Sequence, residues 1–216
     1  MRIVEGKKQR DLSPEAFADL ASGFAGIALD LGTGDGSFVL RRARTEPGVL
    51  CIGLDAVAEA MAESARRARA KPAKGGAANA LYVVARAEDL PSELAGRCDA
   101  ITINYPWGSL LKAVSEPQQE VLAGIAACAK PGARVTLLIN LAPFEDPDQR
   151  DRLGLNELDA ELAEQRLGPA YLAAGLKIGK IDLHLGELPE RTSWGRRLVV
   201  GSRRKTLEIK SQKSYI

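Results

Sequence analysis

The chain has 216 residues, 45% of them hydrophobic and 27% charged, which provides one α/β domain with a substantial core and leaves too little for two full domains. Its formal net charge is only +2, so it is not a uniformly basic polyanion binder, and any nucleic-acid face has to be local. Cys51, Cys98 and Cys128 stand far apart in apolar surroundings, and His184 is the only histidine. That pattern reads as three reduced, buried thiols and argues against a disulfide framework, a metal site or a Ser-His-Asp triad. No apolar run has the length of a membrane span or the placing of a signal sequence, so a soluble, cytoplasmic protein is expected.

Residues 1–11 place Ile3 and Val4 among charges around Gly6, the pattern of a small β-hairpin. Ser13-Pro14-Glu15-Ala16 then starts a helix whose buried side is marked by Phe17, Leu20 and Phe24. Next comes Ile27-Ala-Leu-Asp-Leu-Gly-Thr-Gly-Asp-Gly36: an apolar run carrying Asp30 passes through Gly32, Gly34 and Gly36 into an apolar-periodic segment from Phe38. This order reads as strand, tight turn and helix start, where glycine permits positive φ and the helix N-terminus offers free N–H groups to a ligand. The dinucleotide fingerprint G-x-G-x-x-G would need glycine at position 37, which is Ser37. The pattern is D-x-G-x-G-x-G, which resembles the first motif of class I S-adenosylmethionine (SAM) methyltransferases. By itself it is also compatible with an ordinary glycine turn.

Val49 to Asp55 reads as a second buried strand ending in an acid about twenty residues past the glycine loop, where a βαβ unit sets its second strand end beside the first. Asp55 there accepts the hydroxyls of a ribose or caps the helix expected over 56–70. That helix runs into Arg66, Arg67, Arg69, Lys71 and Lys74 and a Gly/Pro loop, a run that serves as a solvated helix end or as a polyanion contact. A helix following strand two returns to the far edge of the sheet, so this loop would have to reach around to meet a ligand at the carboxyl edge. Leu81 to Ala85 is strand three, and Glu88 with Ala87 follows it as the candidate adenine contact.

Cys98 to Ile103 is strand four and delivers the chain into Asn104-Tyr-Pro-Trp-Gly-Ser-Leu-Leu111. In class I methyltransferases this strand end faces the transferable methyl, and enzymes acting on exocyclic amines carry an Asn-Pro-Pro-Tyr type motif there. The present segment departs by one inserted aromatic and by Trp107, whose alternative role is core packing. Further elements are a helix over 118–129, strand five over 135–140, a polar insertion over 143–154, a helix over 156–174 and strand six over 176–185. A linker over 186–205 follows, and Thr206 to Lys210 closes the sheet as strand seven. Arg191, Arg196, Arg197, Arg203, Arg204 and Lys205 make the C-terminal part a local basic face.

Four segments together, Asp30 to Gly36, Ala70 to Gly76, Pro106 to Leu111 and Thr192-Ser-Trp-Gly-Arg-Arg-Leu198, resemble the 16S rRNA (adenine(1408)-N(1))-methyltransferases of aminoglycoside resistance, the kanamycin–apramycin type. The resemblance covers essentially the whole chain. It implies one class I SAM-dependent methyltransferase (Rossmann-like) domain over 1–216: a seven-stranded, mostly parallel sheet with helices on both faces, plus an N-terminal β-hairpin. Its substrate-facing or variable loops are 68–80, 104–117, 141–156 and 186–205. It implies that Asp30, Gly32, Gly34, Asp55, Ala87 and Glu88 hold SAM, with Asn104, Ser109 and Ser193 on the same side of the site. Trp107 and Trp194 would sandwich a flipped adenine, with Pro106, Ser109 and Ser193 lining that pocket. Arg66, Arg67, Arg69, Lys71 and Lys74, and Arg196, Arg197, Arg203 and Arg204, would grip the rRNA of the 30S ribosomal subunit. The enzyme would act as a monomer without metal. The departures are Gly195, directly after the second tryptophan, and the long insertion after strand five. Competing readings are a tRNA methyltransferase acting on guanine N7 or adenine N1, an RNA-binding protein that keeps the SAM fold without turnover, and, least supported, an NAD-dependent oxidoreductase.

Overall fold

A computed structural model describes residues 1–186 and 205–215 of the chain. The N-terminal hairpin is present as β1 (Arg2–Glu5) and β2 (Lys8–Asp11). Helix α1 (Pro14–Ser22) starts as its sequence dictates, Ser13 accepting a hydrogen bond from the Ala16 amide at 3.2 Å and Pro14 taking the first turn. Then follow β3 (Gly26–Leu31), α2 (Ser37–Thr45), β4 (Val49–Asp55), α3 (Ala58–Ala68), β5 (Ala80–Val84) and β6 (Cys98–Asn104). The second half comprises α4 (Gly108–Ser115), α5 (Gln119–Cys128), β7 (Ala129–Asn140), α6 (Ala142–Glu145), α7 (Pro147–Leu153), α8 (Ala160–Ala173), β8 (Leu176–Leu185) and β9 (Lys205–Lys213).

The nine strands form one sheet in the order β2-β1-β5-β4-β3-β6-β7-β9-β8. The five central strands are parallel and both flanks are antiparallel. The expected seven strands are therefore joined by the hairpin, because Ile3 pairs with Val83 and β1 extends the sheet past β5. The physical reason is burial on two faces: Ile3 packs with Phe17 and Leu81, while its neighbour Val4 packs with Met61 and Tyr82. The hairpin completes both cores and covers an edge of the parallel sheet. The last strand also differs from expectation. Instead of closing the sheet, β9 inserts between β7 and β8, burying Leu207 and Ile209 and leaving the more polar β8 at the edge.

Helices lie on both faces. α1, α5 and α8 pack on one side through Phe17, Ile125 and Leu167, and α2 and α3 pack on the other through Leu40 and Met61. Cys51, Cys98 and Cys128 are free and buried as expected. Three helices go beyond the sequence reading. Segment 104–117 contains α4, and the polar insertion folds into α6 and α7, with Asp146 accepting from the amides of Asp148 and Gln149 and Pro147 at the first turn. Among the described residues no helix is long and apolar enough to cross a membrane. The chain reverses direction about β3, so that β4 runs to one side and β6 to the other; in an open α/β sheet the crevice at the carboxyl ends of such strands is the ligand site.

Candidate active site

The glycine loop links the end of β3 to α2, and each of its glycines has a distinct reason. All three hold positive φ: Gly32 at 73°, Gly34 at 57° and Gly36 at 69°. A Cβ on Gly32 would lie 2.6 Å from Leu110 Cδ2, and one on Gly36 would lie 2.4 Å from Tyr82 Cε1. At Gly34 a Cβ would meet nothing within 4 Å, because this residue faces the cavity. The loop is tied down from the core: the Tyr82 hydroxyl donates to the Gly36 carbonyl at 3.0 Å, and Ser64 donates to the Asp35 carbonyl at 2.5 Å.

The cavity at this edge has a volume of about 340 Å³. Asp30, Gly32, Gly34, Asp55, Ala87, Glu88, Asn104, Pro106, Trp107 and Ser109 all line it, so every sequence-expected cofactor or target residue among the described ones converges there. Asp30 is 4% exposed and accepts two hydrogen bonds on Oδ1, from Thr102 Oγ1 and Asn104 Nδ2, each at 2.8 Å. Burial pushes its carboxyl up to about 6, against the pull of the Thr33 hydroxyl beside it, of those two donors and of the Arg42 charge. The Asn104 carbonyl oxygen is buried without a partner among the described residues, an arrangement that calls for a ligand donor.

Asp55 ties the start of α3 to the glycine loop. Its Oδ1 accepts from the Val57 amide at the start of α3, and its Oδ2 accepts from the Gly34 amide of the loop, each at 2.9 Å. One lone pair on each oxygen remains for a ribose hydroxyl. Glu88 is exposed beside Arg86, and hydrogen bonding from its own main-chain amide, helped by the Arg86 guanidinium, holds its carboxyl below the usual range. It is an ionised acceptor at the cavity rim.

The inserted aromatic after β6 makes a sharp corner. Tyr105 is buried with φ of 52°, the one non-glycine residue at positive φ among those described, and its amide donates to the Leu138 carbonyl at 2.7 Å. Such a conformation before a proline is costly and is maintained only when the surroundings over-determine it. The corner buries Pro106 and turns Trp107 out at the cavity mouth, where it is 44% exposed. A core role for Trp107 is thereby removed. The sequence reading missed Thr102, Phe38 and Leu110 as parts of the site; two-residue alternation with Asn104 is the only signal for Thr102.

Ser193, Trp194, Arg196, Arg197, Arg203 and Arg204 lie outside the described residues. The basic run after α3 is described, and it does not reach around to the cavity. Arg44 of α2 donates to the Gly75 carbonyl, and the Asn79 amide bridges the carbonyls of Ala43, Glu46 and Val49. These bonds pin the loop to the amino edge of the sheet, a seven-residue strand or roughly 20 Å from the cavity. Arg66 pairs there with Glu63 and Arg69 with Glu5, while Arg67, Lys71 and Lys74 are exposed and have no ion-pair partner among the described residues.

This strand order, with an open glycine loop between two acidic strand ends, defines a class I SAM-dependent methyltransferase. The family described as NpmA: 16S rRNA (adenine(1408)-N(1))-methyltransferase matches residues 2–213. A 16S rRNA (adenine(1408)-N(1))-methyltransferase of Streptoalloteichus tenebrarius is 38% identical over 202 residues, covering 92% of each chain. Among solved structures, the aminoglycoside resistance methyltransferase NpmB1 superposes with a TM-score of 0.87 at 40% identity over 98% of both chains. A mutant 16S rRNA (adenine(1408)-N(1))-methyltransferase from Catenulisporales acidiphilia, solved with cosubstrate SAM, gives 0.87 at 31% identity over 99% of this chain and 97% of that one. The chain belongs to the 16S rRNA (adenine(1408)-N(1))-methyltransferase family.

Proposed function

We propose that this protein transfers the methyl group of SAM to N1 of adenine 1408 in the 16S rRNA of the 30S subunit and thereby gives aminoglycoside resistance of the kanamycin–apramycin type. The observation that carries the reading is Trp107, an exposed tryptophan held by a strained corner at the mouth of a cavity with the acceptor set for SAM. The fit is chemical: Asp30 and Asn104 offer acceptors to an ammonium, Asp55 to a ribose and Glu88 to an adenine amino group, while Gly34 leaves backbone open to close approach. When bound, SAM supplies an electrophilic methyl on a sulfonium.

Adenine N1 carries an in-plane lone pair, so no deprotonation has to precede attack. The protein's work is then binding and alignment, which agrees with a cavity whose lining among the described residues has no histidine or lysine. The target base has to leave its stack, at a cost of a few kcal/mol. Stacking on Trp107 offsets roughly 1–3 kcal/mol of that, and Trp194 is the second platform the family resemblance implies. Pro106 and Ser109 border the base, and Ser193 completes that wall by the same resemblance. The basic residues of the 66–74 segment and Arg196, Arg197, Arg203 and Arg204 take the rRNA backbone. The protein acts in the cytoplasm as a monomer on the assembled subunit.

The test is transfer of tritiated methyl from SAM to unmodified 30S subunits, with primer extension to locate the product. A reverse-transcription stop at adenine 1408 is expected, because N1 methylation blocks base pairing. SAM binding without incorporation into 30S subunits would overturn the reading.

A further inference from the structure

Thr102 sits in the middle of β6, and the register sets it directly beside Asp30 of β3. Strand alternation puts Asn104 on the same face, two residues nearer the cavity. The Thr102 hydroxyl has one hydrogen and two acceptors within reach, the Leu29 carbonyl at 3.4 Å and Asp30 Oδ1 at 2.8 Å. The shorter bond to the charged group prevails. Asn104 Nδ2 donates to that same Oδ1 at 2.8 Å.

Two donors on one carboxylate oxygen have a geometric consequence. They fix the rotation of the Asp30 carboxylate, and its second oxygen is left on the cavity that Asp30 lines together with the neighbouring Thr33 hydroxyl. They also fix the Asn104 amide: with its nitrogen committed to Asp30, its oxygen is buried without a partner among the described residues, in a residue only 8% exposed. The cavity floor therefore presents two acceptors side by side, one of them anionic. That set is complementary to an ammonium group and repels a carboxylate or phosphate.

We propose that Thr102 is a positioning residue for the methyl donor: by holding Asp30 Oδ1, it keeps the other Asp30 oxygen and the Asn104 carbonyl oxygen aligned to grip the α-ammonium of SAM. The inference rests on the reading of this cavity as the SAM site. Thr102 also favours the ionised carboxylate, since its hydroxyl donates to the charged form. Burial opposes ionisation and pushes Asp30 up to about 6; the Thr33 hydroxyl, the Asn104 amide and the charge of Arg42 of α2 act in the same sense as Thr102. SAM affinity in the native protein therefore falls as pH drops through about 6.

Calorimetric titration of SAM into the full-length protein at a series of pH values tests this. Thr102→Val keeps the shape and removes the donor, Thr102→Ala is a second donor-free variant, and Thr102→Ser keeps the hydroxyl. The donor-free variants should bind SAM about tenfold more weakly at pH 7, with the pH midpoint moved up by about one unit, the scale of one lost hydrogen bond to a charged group. Thr102→Ser should stay within about threefold of the native protein at every pH, because it restores that bond. In the native protein, 5′-methylthioadenosine, which lacks the amino-acid part, should bind without the pH dependence near 6. An unchanged SAM profile in the donor-free variants, or weakening by the same factor at every pH, would overturn the role of Thr102. A methylthioadenosine profile matching that of SAM would overturn the ammonium grip. No SAM binding by the native protein at any pH would instead remove the cofactor reading, and the inference with it.

Discussion

Asp30 illustrates at residue scale how a binding group acts against its own fold. A carboxyl pushed up to about 6 is bound to a proton more firmly in the folded than in the unfolded chain. Its contribution to stability is thus complete below about pH 4, declines as pH rises, and is gone above about pH 6. At neutral pH without ligand, the ionised side chain is penalised by up to about 3 kcal/mol. Asp30→Asn should therefore raise the unfolding temperature of the ligand-free protein at pH 7 by several degrees, remove that pH dependence and abolish SAM binding; scanning calorimetry and titration read the two effects separately. Trp107→Ala should behave in the opposite way. Its side chain is largely outside the core, so stability should change by less than about 1 kcal/mol and SAM binding should persist. Methyl transfer to 30S subunits should fall tenfold or more if stacking supplies roughly 1–3 kcal/mol at the flipped base; loss of SAM binding in this variant would assign the tryptophan to the cofactor instead. Asp30, Asp55 and Glu88 were legible because acids at the ends of apolar runs stand out in a sequence. Thr102 was not, since a threonine inside a strand is ordinary until the β3–β6 register places it opposite Asp30.

At the scale of the element, the glycine loop separates two kinds of requirement that sequence alone merges. Gly36→Ala forces a Cβ to within 2.4 Å of the buried Tyr82 ring while holding φ at 69°. Backbone strain and overpacking together should cost about 2–5 kcal/mol, visible as a lower denaturation midpoint even without ligand. Gly34→Ala adds its methyl to open space, so only the positive φ is felt, about 1–2 kcal/mol, and the larger loss should appear in SAM affinity. Equal losses of stability in both variants would contradict this division. The same contrast explains what was legible in the fold. β4 and β8 were read to the residue, because their periodic runs end at glycine, acid or turn signals. α7 has no buried residue and hence no apolar stripe to read, although Asp146-Pro147 is a proper helix start. The insertion of β9 between β7 and β8 depends on which strand can bury Leu207 and Ile209 between two partners, a property of the assembled sheet and not of the segment.

At the scale of the whole molecule, charge is distributed across two distant places. Arg67, Lys71 and Lys74 project from the amino edge without ion-pair partners among the described residues, and the cavity opens at the carboxyl edge roughly 20 Å away. A short strand threaded into the cavity would leave those cations unused, whereas a folded rRNA surface spans the distance. The amino-edge loop should therefore contribute a sequence-independent, salt-dependent share of affinity that is spent only on the assembled subunit. Lys71→Glu combined with Lys74→Glu should leave SAM affinity unchanged, because the loop is pinned to α2 and β4, away from the cavity. Binding to 30S subunits should weaken, and the slope of log affinity against log salt should become shallower by roughly one to two. A naked oligonucleotide carrying the target adenine should be a poor substrate for the native protein and should be affected little by the double substitution. If 30S binding kept its full strength and salt slope, the amino-edge cations would be a solvated helix end and nothing more, and recognition would have to come from residues around the cavity alone.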